Sequence, residues 1–423
     1  MASTKDKMGR PIVVVTGVGV VTSLGAGKTD NWAKLTAGES GIHAITRFAT
    51  DGLKTRIAGS VDFLGKPHST AALSEQVADL AAEEAIAQSG LGKASDFPGP
   101  LFLAVPPIEM EWPHRLEVGA RSGSNDNVTY ADLLRVSDQF PAYHGRFLFG
   151  SVADHIAEKF GTRGSPISLS TACASGATAV QLGVEAIRRG ETDAALCIGT
   201  DGSVNPEAVI RFSLLSALST SNDNPEKAAR PFSKNRDGFV MAEGAGALVL
   251  ESYDAAKARG ATILGVVEGC GEKTDAFHRT RSSPDGKPII ACIKNALEDA
   301  GLTPDDIDYV NAHGTSTPEN DKMEYLGCST VFGERMATLP ISSNKSMIGH
   351  TLSAAGAIEA VFTVLTLQNQ RMPPTINYDV PDPAIPLDVV PNKPRDAKLK
   401  HAISNSFGFG GQNVSLVVGV EPA

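Results

Sequence analysis

The chain has 423 residues, of which 42% are apolar, 20% charged and 6% aromatic, and this length exceeds what one hydrophobic core fills, so two domains or fused halves are expected. A net charge of −10 argues against a general nucleic-acid surface, which needs clustered Lys and Arg. The five cysteines at 173, 197, 270, 292 and 328 form no CxxC pair; their odd count fits reduced thiols and a cytoplasmic protein, and no metal site is read from them.

The N-terminus is polar, and the first apolar run, from Pro11 to Val15, is too short for a signal peptide or a membrane span. No later segment spans a membrane either, so the Asn127-Val-Thr and Asn413-Val-Ser sequons are read as chance matches. Gly17-Val-Gly19 lacks the third glycine of a dinucleotide fingerprint, Thr standing at position 22, and is read as a tight turn. Strand-like β-branched runs occur at 12–16, 194–198, 247–251, 263–268, 309–312 and 415–420. Helical apolar spacing occurs at 74–89, 177–189, 289–300 and 354–367. The alternation predicts an α/β fold with buried sheets.

The block at 101–151 stands apart. It holds Trp112, Tyr130, Phe140, Tyr143, Phe147 and Phe149 in an otherwise aromatic-poor chain, and reads as a cap over a site or as a surface excursion with its own small core. Two further segments, beginning at Pro166 and Pro340, each run from a strand through a small-residue turn into a helix, which hints at an internal duplication.

Cys173 lies in the first of these turns, Ser170-Thr-Ala-Cys-Ala-Ser-Gly176, where a helix N-terminus would lower its pKa; a buried, inert thiol is the equal alternative from this motif alone. His313 lies in Asn311-Ala-His-Gly-Thr-Ser-Thr317, at the end of a strand. His350 closes Lys345-Ser-Met-Ile-Gly-His350, at the turn taken to mirror that of Cys173. Two histidines at glycine-bracketed strand ends, like the cysteine, favour a shared site over two structural residues. The SxxK match at Ser342–Lys345 has no Lys-Thr-Gly partner and is set aside. Ser404-Asn-Ser-Phe-Gly-Phe-Gly-Gly-Gln-Asn413 could bring backbone N–H groups against a ligand or form a plain hairpin turn.

Together, Thr171–Gly176, Arg230–Gly246, Asn311–Pro318, Lys345–His350 and Asn405–Gly411 resemble the elongating β-ketoacyl-acyl-carrier-protein synthases of the thiolase-like condensing enzymes, over nearly the whole chain. The resemblance implies a duplicated five-layer αβαβα fold, with one half at 1–260 carrying the nucleophile and the 101–151 cap, and the other at 261–423 carrying both histidines. It implies a homodimer that uses acyl- and malonyl-loaded carrier protein and binds no nucleic acid. It implies no cofactor of its own beyond the carrier's phosphopantetheine, while leaving room for a structural monovalent cation.

The implied roles are Cys173 as acyl-carrying nucleophile, His313 and His350 as hydrogen-bond donors to an enolate, and Lys345 as their organiser. Asp321, Glu324 and Glu359 would support them. Thr315 and Thr317 would hold pantetheine amides, Phe409 would gate the site and lend its N–H to an oxyanion, and Phe212, Phe407, Ile108 and Gly410 would line the substrate path. Arg211 and Arg135 are named for a basic carrier-docking patch.

The chain departs from the family pattern at Asp201-Gly202, at Glu319-Asn320 and at Val105-Pro-Pro-Ile-Glu-Met110, which replaces a glycine-rich acyl-pocket segment. The expected activity is decarboxylative elongation of an acyl chain by two carbons, with a specialised preference for long or atypical chains. The alternatives are a polyketide-type ketosynthase and a non-catalytic chain-length partner subunit.

Overall fold

The computed structural model describes residues 4–66, 69–93, 95–123 and 128–422, so the sequon at Asn127 lies outside the described residues. The N-terminal half contributes β1 (Val13–Thr22), β2 (Leu101–Ala104), β3 (Ile167–Leu169), β4 (Ala194–Asp201) and β5 (Gly244–Ser252). The C-terminal half contributes β6 (Gly265–Thr274), β7 (Tyr309–Asn311), β8 (Ile341–Ser342), β9 (His401–Phe407) and β10 (Gln412–Gly419).

The two sets have the same topology. The order β3-β2-β4-β5-β1 in one half is repeated by β8-β7-β9-β10-β6 in the other. In both, the second strand runs parallel to its two neighbours and the remaining pairs are antiparallel. The halves join edge to edge where Val13, Val14 and Val15 pair with Val267, Val266 and Gly265.

Helices complete five layers. Helix α1 (Thr70–Ser89), with α2 (Ser151–Phe160) beside it, covers the outside of the N-terminal sheet, while α4 (Lys287–Ala300) and α5 (Pro318–Phe332) cover the C-terminal one. Between the sheets lie α3 (Ser175–Arg188) and α6 (Ala355–Asn369). Because both its sides face a sheet, α6 is buried at every position from Ala355 to Leu367, and it is apolar on all sides apart from Glu359, Thr363 and Thr366. Strands β1 and β5 are likewise buried along their whole length, as expected for a sheet covered on both faces.

Gly17 and Gly19 do not form a turn. They lie within β1, where an added Cβ would come 2.0 Å from the carbonyl oxygens of Ala85 and Ala81, so their lack of a side chain lets α1 lie directly on the strand. The same reasoning marks the crossing of the central helices: a Cβ on Gly176 would meet the Ala357 nitrogen at 2.5 Å, and one on Gly356 the Ala177 nitrogen at 2.5 Å.

This reciprocity fixes the internal correspondence. The position equivalent to Cys173 is Ser353, not His350, and the residues before them, Ala172 and Leu352, share a left-handed backbone with φ 50° and 45°. Of the 101–151 block, the first four residues are β2, a buried strand of the N-terminal sheet. The remainder of the block carries three short helices, Trp112–Arg121, Tyr130–Val136 and Pro141–Arg146, with Trp112, Tyr130 and Leu134 turned outwards. Among the described residues, no helix is long and apolar enough to cross a membrane.

Candidate active site

After β3 the chain turns sharply into α3. Ser175 braces the turn, its Oγ accepting the Thr171 N–H at 2.7 Å and donating to the Ala172 carbonyl at 2.6 Å. Cys173 sits at the apex, 7% exposed. His313 follows the end of β7, where Glu324 from α5 accepts the N–H groups of His313 and Gly314 at 2.8 and 2.7 Å. His350 is fixed by its own backbone, which donates to the Val240 carbonyl at 2.7 Å and accepts from the Ala242 N–H at 2.9 Å.

These three side chains converge: the cysteine sulfur and one nitrogen from each histidine lie within 4.8 Å of one another. The imidazoles stand nearly perpendicular, at 85° with centroids 5.3 Å apart. Phe407 packs edge-on against His313, and Phe239 against His350.

The hydrogen bonds fix which nitrogen carries the proton. His350 Nδ1 accepts the Leu352 N–H at 3.2 Å, so its proton is on Nε2, which is buried and has no partner among the described residues. His313 Nδ1 faces the Lys345 ammonium at 3.4 Å, which places its proton on Nε2 as well. Burial, followed by the charge of Lys345, holds both imidazoles well below the usual histidine range, so both are neutral. The site therefore presents two neutral N–H donors beside a sulfur.

Lys345 is almost fully buried, donates to the His313 carbonyl at 2.7 Å and is ion-paired with Glu359. Burial raises Glu359 and Glu324 to about 7, against the lowering effects of Lys345 on the first and of the Gly314 and His313 N–H groups on the second. Asp321 accepts the Phe232 N–H at 2.7 Å and lies near Arg236; burial raises it too. One thiol and two imidazoles would also suit a soft metal, but the ammonium beside His313 opposes a cation here.

Cys173 corrects the expectation of a lowered thiol pKa. Burial pushes it up to about 11, outweighing the Phe409 N–H aimed at the sulfur and the Lys345 charge. The helix start is in place, but the sulfur has too little water to carry charge at rest.

Cys173 joins two cavities. One, of about 440 Å³, runs from Cys173 past Thr315, Thr317, Phe407 and Phe212 to a mouth carrying His278, Arg279, Arg281 and Glu319. The other, of about 360 Å³, is walled by Pro106, Pro107, Glu109, Asp201, Arg211 and Leu352. Phe212 and Phe409 border both.

The Thr315 and Thr317 hydroxyls lie 2.9 Å apart. Gly410 is exposed, outside both walls, its N–H given to the Arg279 carbonyl at 2.7 Å. Ile108 is also outside them, packed on the apolar layer of α1 and α2. Arg211 pairs with Glu109 at the second cavity, and Arg135 pairs with Asp132 on the short helix Tyr130–Val136, so neither stands at the first cavity's mouth.

Sequence reasoning missed Arg279, Arg281 and the loop that carries them, which has no periodic pattern. It noted Asp201 only as a departure; that carboxylate, raised to about 6 by burial, accepts the Ser353 N–H at 3.0 Å beside the second cavity.

The N-terminal domain profile of the beta-ketoacyl synthases matches residues 10–256, and the C-terminal domain profile matches 264–379. The chain belongs to the β-ketoacyl synthase family. Among its relatives in the family is the 3-oxoacyl-[acyl-carrier-protein] synthase 2 of Coxiella burnetii, 38% identical over 96% of this chain and 98% of that protein. The ketoacyl synthase alpha subunit of the tetracenomycin polyketide synthase of Streptomyces glaucescens is 37% identical over 96% of each. A solved complex of a type II polyketide acyl-carrier protein with its hexaketide-bound ketosynthase, AntDE:AntF, superposes with a TM-score of 0.86 at 36% identity, covering 97% of this chain and all of that one.

Proposed function

We propose that this chain is an elongating β-ketoacyl-acyl-carrier-protein synthase, in which Cys173 holds the growing acyl group and His313 with His350 drive decarboxylation of the malonyl extender. The observation that carries this reading is the unpartnered, buried Nε2–H of His350, directed with that of His313 towards the space beside the Cys173 sulfur.

In the first half-reaction the Cys173 thiol attacks the carrier-bound thioester. The C–S bond to the cysteine forms, the bond to the pantetheine sulfur breaks, and the thiol proton ends on the departing pantetheine thiol. The proton passes from sulfur to sulfur because neither neutral histidine has its accepting nitrogen free. The tetrahedral oxyanion is met by the N–H groups of Phe409 and Cys173.

In the second half-reaction malonyl-carrier occupies the first cavity, its amides along Thr315 and Thr317. The carboxylate leaves as carbon dioxide, and the electron pair of the broken bond becomes an enolate whose oxygen takes both Nε2–H donors. This contact exists only as charge develops, so it favours the transition state over bound malonate. The enolate carbon attacks the acyl-Cys173 carbonyl. Cys173 leaves and regains a proton from solvent, and the product stays on the carrier two carbons longer.

Glu324, Glu359 and Lys345 hold the histidines in place, and Asp321 holds the loop between β7 and α5. Phe212 and Phe409 flank the thioester. The division at about residue 260, the cap, and a homodimer belong to the same reading; exposed Trp112, Leu116, Tyr130 and Leu134 support a covering second copy. A monovalent cation, where bound, would find an oxygen donor in Glu359 Oε2, which is buried without a partner among the described residues. The reading needs no other cofactor.

The second cavity receives the acyl chain. Its wall is largely apolar, as an acyl chain requires, and the Pro106-Pro107 segment that departs from the family pattern supports a preference for long or atypical chains. In the polyketide-type alternative, the Glu109–Arg211 pair in this largely apolar wall would be the group that meets the carbonyls of a poly-β-keto chain.

The test is a mass spectrum of the intact enzyme after exposure to acyl-carriers of graded length and oxidation. The adduct on Cys173 reports the substrate, and no adduct from any donor would sink the reading. Product analysis with a ketoreductase supplied or omitted separates the fatty from the polyketide form.

A further inference from the structure

We propose that Arg279 and Arg281 grip the phosphodiester of the carrier's phosphopantetheine arm at the mouth of the cavity that ends on Cys173. The inference rests on the carrier-dependent reading above and names the residues that would make it phosphate-specific.

Both arginines are exposed, and both line the cavity mouth on either side of Thr280. Most of the chain's arginines are ion-paired. Among the described residues, neither of these two guanidinium groups has a hydrogen bond or an ion pair, although the chain carries an excess of ten negative charges. The acids closest in the wall do not neutralise them. Asp275 is buried, its two oxygens taken by the N–H groups of Phe277 at 2.9 Å and Ser283 at 2.7 Å, and Glu319 makes no ion pair with either arginine.

The loop is held in place. Asp275 N–H donates to the Gly411 carbonyl at 2.8 Å, and Gly410 N–H to the Arg279 carbonyl at 2.7 Å, which ties this lip to the loop carrying Phe409. Two guanidinium forks on a fixed lip match a phosphodiester in charge and geometry. The remainder of the cavity then tracks the arm in order: the phosphate at the arginines, amides at the Thr315 and Thr317 hydroxyls, and the thioester at Cys173.

The experiment compares acylation of Cys173, read by mass, from acyl-phosphopantetheine, from acyl-pantetheine lacking the phosphate, and from the intact acyl-carrier. At low salt the wild type should favour the phosphorylated arm by about ten-fold in kcat/KM. In R279A/R281A that preference should collapse to near unity, and in R279K/R281K it should return in part. The assignment is overturned if the preference survives in R279A/R281A. It is equally overturned if this variant loses rate only with the intact carrier, which would place the arginines against the carrier's protein surface. Absence of a Cys173 adduct from every donor in the wild type would instead reject the synthase reading, so the two failures are distinguishable.

Discussion

Two turns in this molecule share a backbone and differ in use. The turn before α3 and the turn before α6 each place one left-handed residue, Ala172 or Leu352, just ahead of the residue at the apex, and the helices leading away from them cross at Gly176 and Gly356. At the first apex is Cys173, whose sulfur faces two histidines and the Phe409 N–H. At the second is Ser353, whose N–H is given to the buried carboxylate of Asp201. Reactivity in this fold is thus a matter of what surrounds the turn, because the strained backbone is present twice and only one copy has donors aimed at it.

The largest effect that would break this contrast comes from Cys173, the proposed nucleophile. Cys173→Ala should lower condensation by roughly 10³-fold or more, measured as β-ketoacyl-carrier formed, and condensation at the wild-type rate would leave the partner-subunit alternative standing. Cys173→Gln should also abolish condensation while raising malonyl decarboxylation, because the acyl acceptor is lost and the histidines remain.

Next in size is His350→Ala, which should slow release of carbon dioxide from malonyl-carrier on the order of 10²–10³-fold, with acyl transfer to Cys173 reduced much less. An equal loss in both half-reactions would mean the imidazole serves the nucleophile as well.

The duplicated crossing makes a paired prediction. Gly176→Ala and Gly356→Ala should each destabilise the protein by about 2 kcal/mol or more in thermal or denaturant unfolding, since each Cβ would meet backbone across the crossing. Clearly unequal losses would show that the two turns are not energetic equivalents.

A titration sharpens the picture further. A thiol at about 11 gains thiolate as pH rises, so iodoacetamide should alkylate Cys173 ever faster past the point, about pH 8.5, where an ordinary thiol begins to level. Levelling there would mean the sulfur is better stabilised than its burial implies. The smallest effect is expected of Ser353→Cys in a Cys173→Ala background: the new thiol lies beside the acyl cavity, yet it should take up no acyl group from the carrier, as read by mass.

Much of the candidate site was legible because its motifs are local. Cys173, His313 and His350 each lie in a glycine-bracketed turn, and their meeting is what the strand order then produces. The central helix was legible for its long, mainly apolar run, which only Glu359, Thr363 and Thr366 interrupt before Leu367. Helix α5 was not, since Asp321 and Glu324 interrupt the buried face that Met323, Cys328, Val331 and Phe332 otherwise form, and an acid on the inner side breaks the apolar period. Gly17 and Gly19 misled because the helix that requires them arrives from more than fifty residues downstream in sequence. The thiol pKa was misjudged for a similar reason: a helix start can be read from a sequence, whereas the depth at which the sulfur sits depends on every layer around it.

The position of α6 has a consequence for how the chain is made. This helix is synthesised well after β4 and β5, yet it forms part of the surface against which both are buried. At roughly 5–20 residues per second, on the order of ten seconds separate the emergence of β5 from that of the helix that seals it. During that interval a nascent chain presents an apolar sheet face to the ribosome surface and to whatever holds it there, so the duplicated architecture can close only as a whole.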